Sequence, residues 1–198
     1  MRKARPEART GSGGGSDGSL PPSASSVISQ AMEALHAPWR IDYILSPKVP
    51  AADGEASLFT RIARSSDDEG NRVIARARSC YAVLNAYPYN GGHLMVVPYR
   101  QTAGLDDLGD DELLDLMKLL RRCQAALRTV MKPHGFNVGI NLGKVAGAGI
   151  VEHLHIHVVP RWDGDTNFMP VIAGTSVVPE ALADIAAKLR AALAAQTD

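Results

Sequence analysis

Apolar residues between positions 73 and 97 come in short runs separated by Asn, Pro and Gly. This is the pattern of strands joined by tight turns. Residues 73–78 and 79–85 read as strand material, with Tyr81, Val83 and Leu84 as the apolar content and Cys80 as a small buried hydrophobe. Pro88, Asn90, Gly91 and Gly92 then form a turn, and residues 93–97 make the next strand, closed by Pro98. From 110 to 132 the period changes to that of a helix. Leu113, Leu116, Met117, Leu120, Leu127, Val130 and Met131 fall on one stripe. Asp110, Asp111 and Glu112 suit its N-terminus, and Pro133 and Gly135 stop it. Phe136, Val138, Ile140 and Leu142 alternate with smaller or polar residues, so 136–142 predicts a strand. Residues 153–159 predict another, and a short strand follows near Val171. Short helical segments are expected over 27–35 and after Pro179, where Leu182, Ile185, Leu189 and Leu193 share one face. The order predicts an α+β domain, an antiparallel sheet of about five strands covered by a long central helix and a C-terminal helix.

Composition narrows the class. The chain has 198 residues, of which 45% are hydrophobic, enough for one cored domain. Residues 1–26 are rich in Gly, Ser and Pro and read as a disordered tail, with the domain over 27–198. Lys plus Arg and Asp plus Glu both total 21, which argues against broad electrostatic binding to nucleic acid or an anionic membrane. Cys80 and Cys123 form no close-spaced motif, so a reducing cytoplasm is expected. No apolar run approaches the roughly 20 residues of a membrane span.

The chemistry concentrates in His153-Leu154-His155-Ile156-His157-Val158-Val159. In a strand, His153, His155 and His157 share one face while Leu154, Ile156 and Val158 point into the core. The outer imidazoles of such a row lie about 13 Å apart, suited to a short phosphate chain and too long for a cage around one ion. Three readings are open: solvated or hydrogen-bonded histidines, a metal site, and a nucleophilic or phosphate-binding array. The strict alternation, which uses half of the six histidines, favours the third. Gly143, Gly147 and Gly149 lie in the loop just before this strand, and such loops let backbone N–H groups approach a phosphate.

The histidine row resembles the histidine triad (HIT) family of nucleotide hydrolases and transferases. Pro160-Arg161-Trp162 and the following Gly164-Asp165-Thr166-Asn167-Phe168-Met169-Pro170-Val171, with Pro38-Trp39-Arg40 upstream, are similar to a bacterial branch that includes diadenosine tetraphosphate phosphorylases. The resemblance runs from about Ala37 to about Leu193 and implies a HIT-like fold. It makes His155 the nucleophile, which attacks the α-phosphorus and carries a covalent nucleotide. His157 bonds phosphate oxygens, and His153, with His93 nearby, positions the leaving group and acceptor. Asn85, in the stretch from Leu84 to His93, would bond a ribose hydroxyl or else simply cap the strand end. Asn141 and Gly149 would line the phosphate site, and Trp162 would stack on a base, close the rim or pack at an interface. Relatives usually carry Gln or Ser where this chain has Gly149.

Some relatives bind a structural zinc through a Cys-x-x-Cys where this chain has Ser57-Leu58-Phe59-Thr60. No structural zinc and no other protein-bound cofactor are therefore expected, while magnesium carried by the nucleotide is compatible. The resemblance further implies a homodimer joined through its sheets, or a homotetramer. The expected function is phosphorolysis of diadenosine tetraphosphate to ATP and ADP. The alternatives are a hydrolase of dinucleoside polyphosphates or nucleoside phosphoramidates, and a nucleotide-binding module with little turnover.

Overall fold

The structure, a computed structural model, describes residues 56–165 and 181–196. The expected tail, the helix over 27–35, the segment at Trp39 and the strand near Val171 lie outside the described residues. The elements run α1 (Leu58–Arg64), β1 (Val73–Arg76), β2 (Cys80–Leu84), β3 (Leu94–Pro98), α2 (Asp110–Met131), β4 (Gly135–Ile140), β5 (Ile156–Arg161) and α3 (Leu182–Ala194). The five strands form one sheet in the order β1-β2-β3-β5-β4, antiparallel throughout.

Both faces of the sheet are covered, which explains why β2 and β3 are buried at every position. Cys80, Ala82, Leu84, Leu94, Val96, Ile156 and Val158 pack against α2 and α3 in the main core. The alternate residues Tyr81, Val83, Met95 and Val97 join Val73 and Phe59 of α1 in a second cluster. Each fully buried Leu, Ile or Val contributes about 1.5–3 kcal/mol relative to exposure. The helix α2 buries Leu116, Leu119, Leu120, Cys123, Ala126 and Leu127. Met117, expected on this stripe, is 53% exposed. One residue past Leu116 turns the side chain about 100° away from the core, and Cys123 and Ala126 complete the face instead. Glu112 accepts the Gly109 backbone N–H at 3.0 Å, closing the first turn of α2. Among the described residues no helix is long and apolar enough to cross a membrane.

The strand expected to start at His153 starts at Ile156. The ladder between β3 and β5 runs from Leu94↔Val158 to Val96↔Ile156. Two residues on it meets Pro98, which has no N–H to donate. The Pro98 carbonyl is taken by the His153 ring at 2.9 Å, and Leu154 N–H turns to the Thr102 carbonyl at 2.7 Å. His153 and His155 therefore precede the strand in irregular backbone. The strand expected over 136–142 ends at Ile140, with Asn141 just beyond it.

Candidate active site

A cavity of about 380 Å³ opens on the α1 side of the sheet. Leu58, Phe59 and Ile62 of α1 form one apolar wall, and Val83 and Met95 lie opposite. The same cavity is lined by His155, which lies 5.0 Å from the Phe59 ring, and by His157, Asn141, Gly147 and Gly149. A slot lined by both apolar side chains and histidines suits a ligand with a flat base and a charged tail.

Two of the three clustered histidines reach this cavity. His155 and His157 line it with ring centroids 4.8 Å apart. His153 is completely buried, edge-on to Phe59 at 5.5 Å, and does not line the cavity. His93 also departs from expectation. It lies behind His157, not beside His153, because it directly precedes β3, whose Met95 pairs with His157.

The hydrogen bonds fix where each proton sits, because a carbonyl only accepts and an amide N–H only donates. His155 Nδ1 lies 2.9 Å from the His153 carbonyl, so Nδ1 carries the proton and donates it. In the neutral ring this leaves the lone pair on Nε2. His93 Nδ1 accepts the Tyr89 backbone N–H at 3.0 Å, so the His93 proton is on Nε2. That proton is donated to His157 Nδ1 at 3.0 Å. Neutral His157 thus carries its own proton on Nε2. The two cavity histidines present opposite characters, a lone pair at His155 and a donor at His157.

His153 is fixed by the same logic. Its Nε2–H donates to the Pro98 carbonyl, so Nδ1 accepts, and Ser57 Oγ–H supplies the bond at 2.6 Å. Ser57 Oγ also accepts the Thr60 N–H at 3.1 Å, capping α1. Thr60 Oγ1 and the Ser57 N–H both donate to Gln101 Oε1 at 2.9 Å. Ser57, Thr60 and Gln101 thus form a polar buttress behind the histidine whose carbonyl holds His155. The sequence flagged Ser57 and Thr60 only as replacements for cysteines. Their three-residue spacing is also a helix-cap signal, which could have found the contact. The donor set does not fit zinc: two hydroxyls, an amide oxygen and one imidazole, already bonded to one another. Among the described residues no cluster of three His, Cys, Asp or Glu is placed to hold a metal.

Burial pushes the pKa of both His153 and His155 below the ordinary imidazole value, against the opposing pull of their carbonyl bonds. Both rings stay neutral at neutral pH, as a nucleophile requires. In the unfolded chain the same rings protonate near pH 6.5. Their contribution to stability is therefore full above that pH and is lost as pH falls toward the depressed folded values. Ser57→Ala removes both the cap and the donor to His153. It is expected to cost about 1–3 kcal/mol of stability and to lower kcat roughly tenfold or more. Ser57→Thr, which keeps the hydroxyl, should restore both. Urea unfolding and kcat measured across pH 5–8 check this, and unchanged kcat in Ser57→Ala would leave the buttress a purely structural role.

Asn85 is buried and lines the cavity. Its Oδ1 accepts the Tyr87 N–H at 2.9 Å and its amide nitrogen lies 3.4 Å from His93 Nδ1, so it shapes the turn as well. Asn141 and Gly149 also line the cavity. Trp162 does not: it follows the far end of β5, where its N–H donates to Asp165 at 3.1 Å. Tyr89, not anticipated from the sequence, stacks on His93 at 4.8 Å and lines the cavity as well.

Comparison with known proteins agrees with this geometry. The HIT domain family model matches residues 68–164. An AP-4-A phosphorylase from Mycobacterium tuberculosis H37Rv is 47% identical over 77% of this chain and 80% of its own. The asymmetrical bis(5'-nucleosyl)-tetraphosphatase of Schizosaccharomyces pombe is 35% identical, over 48% of this chain and 52% of its own. Among solved structures, a zinc-bound histidine triad family protein from Mycobacterium smegmatis superposes with a TM-score of 0.56 at 28% identity, covering 70% of this chain and 94% of its own. With its five-stranded antiparallel sheet and its paired cavity histidines, the chain belongs to the HIT family.

Proposed function

We propose that the protein is a diadenosine tetraphosphate phosphorylase working through a covalent nucleotidyl-histidine on His155. The observation that carries this reading is the bond from His155 Nδ1–H to the His153 carbonyl, which puts the Nε2 lone pair on a buried ring lining the cavity. The Nε2 lone pair forms an N–P bond to one α-phosphorus, and the P–O bond to the bridging oxygen breaks, releasing ATP. The imidazolium that develops is stabilised by the His153 carbonyl. An oxygen of inorganic phosphate then attacks the same phosphorus, the N–P bond breaks, and ADP leaves with His155 neutral again. His157, protonated on Nε2, donates to a non-bridging oxygen as charge builds there. Asn85 meets the ribose, and Asn141 with the backbone at Gly149 meets the phosphates.

Phosphate as acceptor is supported by the name of the M. tuberculosis relative, whose identity spans most of both chains. The S. pombe tetraphosphatase supports water as the alternative acceptor, over a shorter stretch. Product analysis separates them. ADP plus ATP, formed only when phosphate is present, is the expected result. AMP plus ATP regardless of phosphate would make the protein a hydrolase.

The reading includes self-association through β4. That strand is one of the two sheet edges, and Val138, Leu142 and Val145 along and beyond it are exposed. No protein-bound metal is invoked, and magnesium would arrive with the nucleotide. A chelator is expected to leave the unfolding midpoint unchanged, and a fall in that midpoint would contradict the metal-free buttress.

A further inference from the structure

Beside the cavity lies a second, shallower groove of about 240 Å³, lined by Tyr89, Asn137, Gly139, Asn141, His157 and Val159. Three of these, Tyr89, Asn141 and His157, also line the cavity, so the two spaces meet at His157. The register explains the floor of the groove. Gly139 pairs with His157 and Asn137 with Val159 across the β4–β5 ladder. In a pleated sheet, Asn137, Gly139 and Asn141 share the face that carries His157 and Val159. Phe136 and Ile140 pack on the main core at the opposite face.

Gly139 is the telling position. Its backbone is ordinary strand, and a Cβ built there meets no atom within 4 Å. Neither conformation nor crowding demands glycine, and glycine weakens a strand interior. Its effect is to leave the surface beside His157 flat and open. Asn137 frames one end; its Oδ1 accepts from Arg161 at 2.7 Å, and the amide nitrogen retains two hydrogens to donate. Asn141 frames the other end.

We propose that this groove holds the second nucleoside of the dinucleotide, the one that departs as ATP. The inference rests on the reading of the cavity as the site of the nucleoside whose α-phosphorus His155 attacks. A polyphosphate chain joins the two halves across His157. The flat floor at Gly139 and the apolar Val159 take the base, while the amide of Asn137 meets its polar edge or the ribose and Asn141 stays on the phosphates between the two spaces. A substrate with one nucleoside and a small leaving group would use the cavity alone.

The test compares two substrates on the full chain: diadenosine tetraphosphate, and the p-nitrophenyl ester of AMP. Gly139→Val fills the groove with a residue that favours strands. It is expected to lower kcat/KM for diadenosine tetraphosphate at least tenfold, mainly through KM, with the ester changed less than twofold. Asn137→Ala, an exposed truncation, should shift the same ratio in the same direction by a smaller factor. Sedimentation of each variant checks that self-association is unaltered. If both variants leave the ratio unchanged, the groove is no nucleoside site, although His155 chemistry stands. If the unaltered protein cleaves neither substrate, the reading of the cavity fails first, and the groove proposal falls with it.

Discussion

Replacing His155 with alanine is expected to reduce diadenosine tetraphosphate turnover by at least about 10⁴-fold, the scale of loss when a covalent nucleophile is removed. No neighbour can take over. His153 has both ring nitrogens engaged and lies outside the cavity. His157 Nδ1 accepts from His93, so a neutral His157 offers a proton where a nucleophile needs a lone pair. The fold should survive, because the His155 side chain accepts no backbone donor and truncation leaves its own backbone in place. Nucleotide affinity should change little, since the apolar wall from α1 is intact. Steady-state rates with a binding isotherm check this. Residual turnover above about one per cent of the original, which falls far short of the loss expected for a nucleophile, would remove the covalent mechanism.

His157→Ala is expected to cost about 10²–10³ in kcat, the range seen when one preorganised donor to a developing oxyanion is lost. The loss should fall on kcat more than on KM, because the donor matters most as charge accumulates at phosphorus. The relay from Tyr89 N–H through His93 to His157 gives a second handle. His93→Ala leaves His157 in place but frees its tautomer, and should reproduce part of the same loss, roughly 10–100-fold. Single-turnover kinetics isolate the step. Equal losses in kcat for the first and second half-reactions are predicted, since the same oxygens carry the charge in both. An effect confined to KM would show that His157 only binds.

Much of this was readable in the residues. The antiparallel sheet and two covering helices follow from period-two and helical stripes, and the histidine row located the chemistry. The row misled in one respect. Alternation implies three equivalent side chains, but equivalence requires a continuous ladder, and Pro98 on the neighbouring strand ends it. That consequence depends on a register between strands about 60 residues apart, for which the local sequence carries no signal. The same register sets His93 behind His157 and away from His153. Ser57 reaches His153 from 96 positions away, and Gln101 bonds Ser57 and Thr60 from 44 and 41 positions away. Hydroxyls and amides at such distances look like ordinary surface residues until the fold brings them together. Gly139 looked like one small residue in an alternating strand; its meaning comes from pairing with His157.

The most direct measurement is mass analysis of the protein after mixing with diadenosine tetraphosphate in the absence of phosphate, followed by peptide mapping. One adenylyl group per chain on His155 is predicted, appearing together with a burst of ATP and discharged to ADP when phosphate is added. Product formation with no adduct, or an adduct on any residue other than His155, would contradict the proposed role of the His155 lone pair.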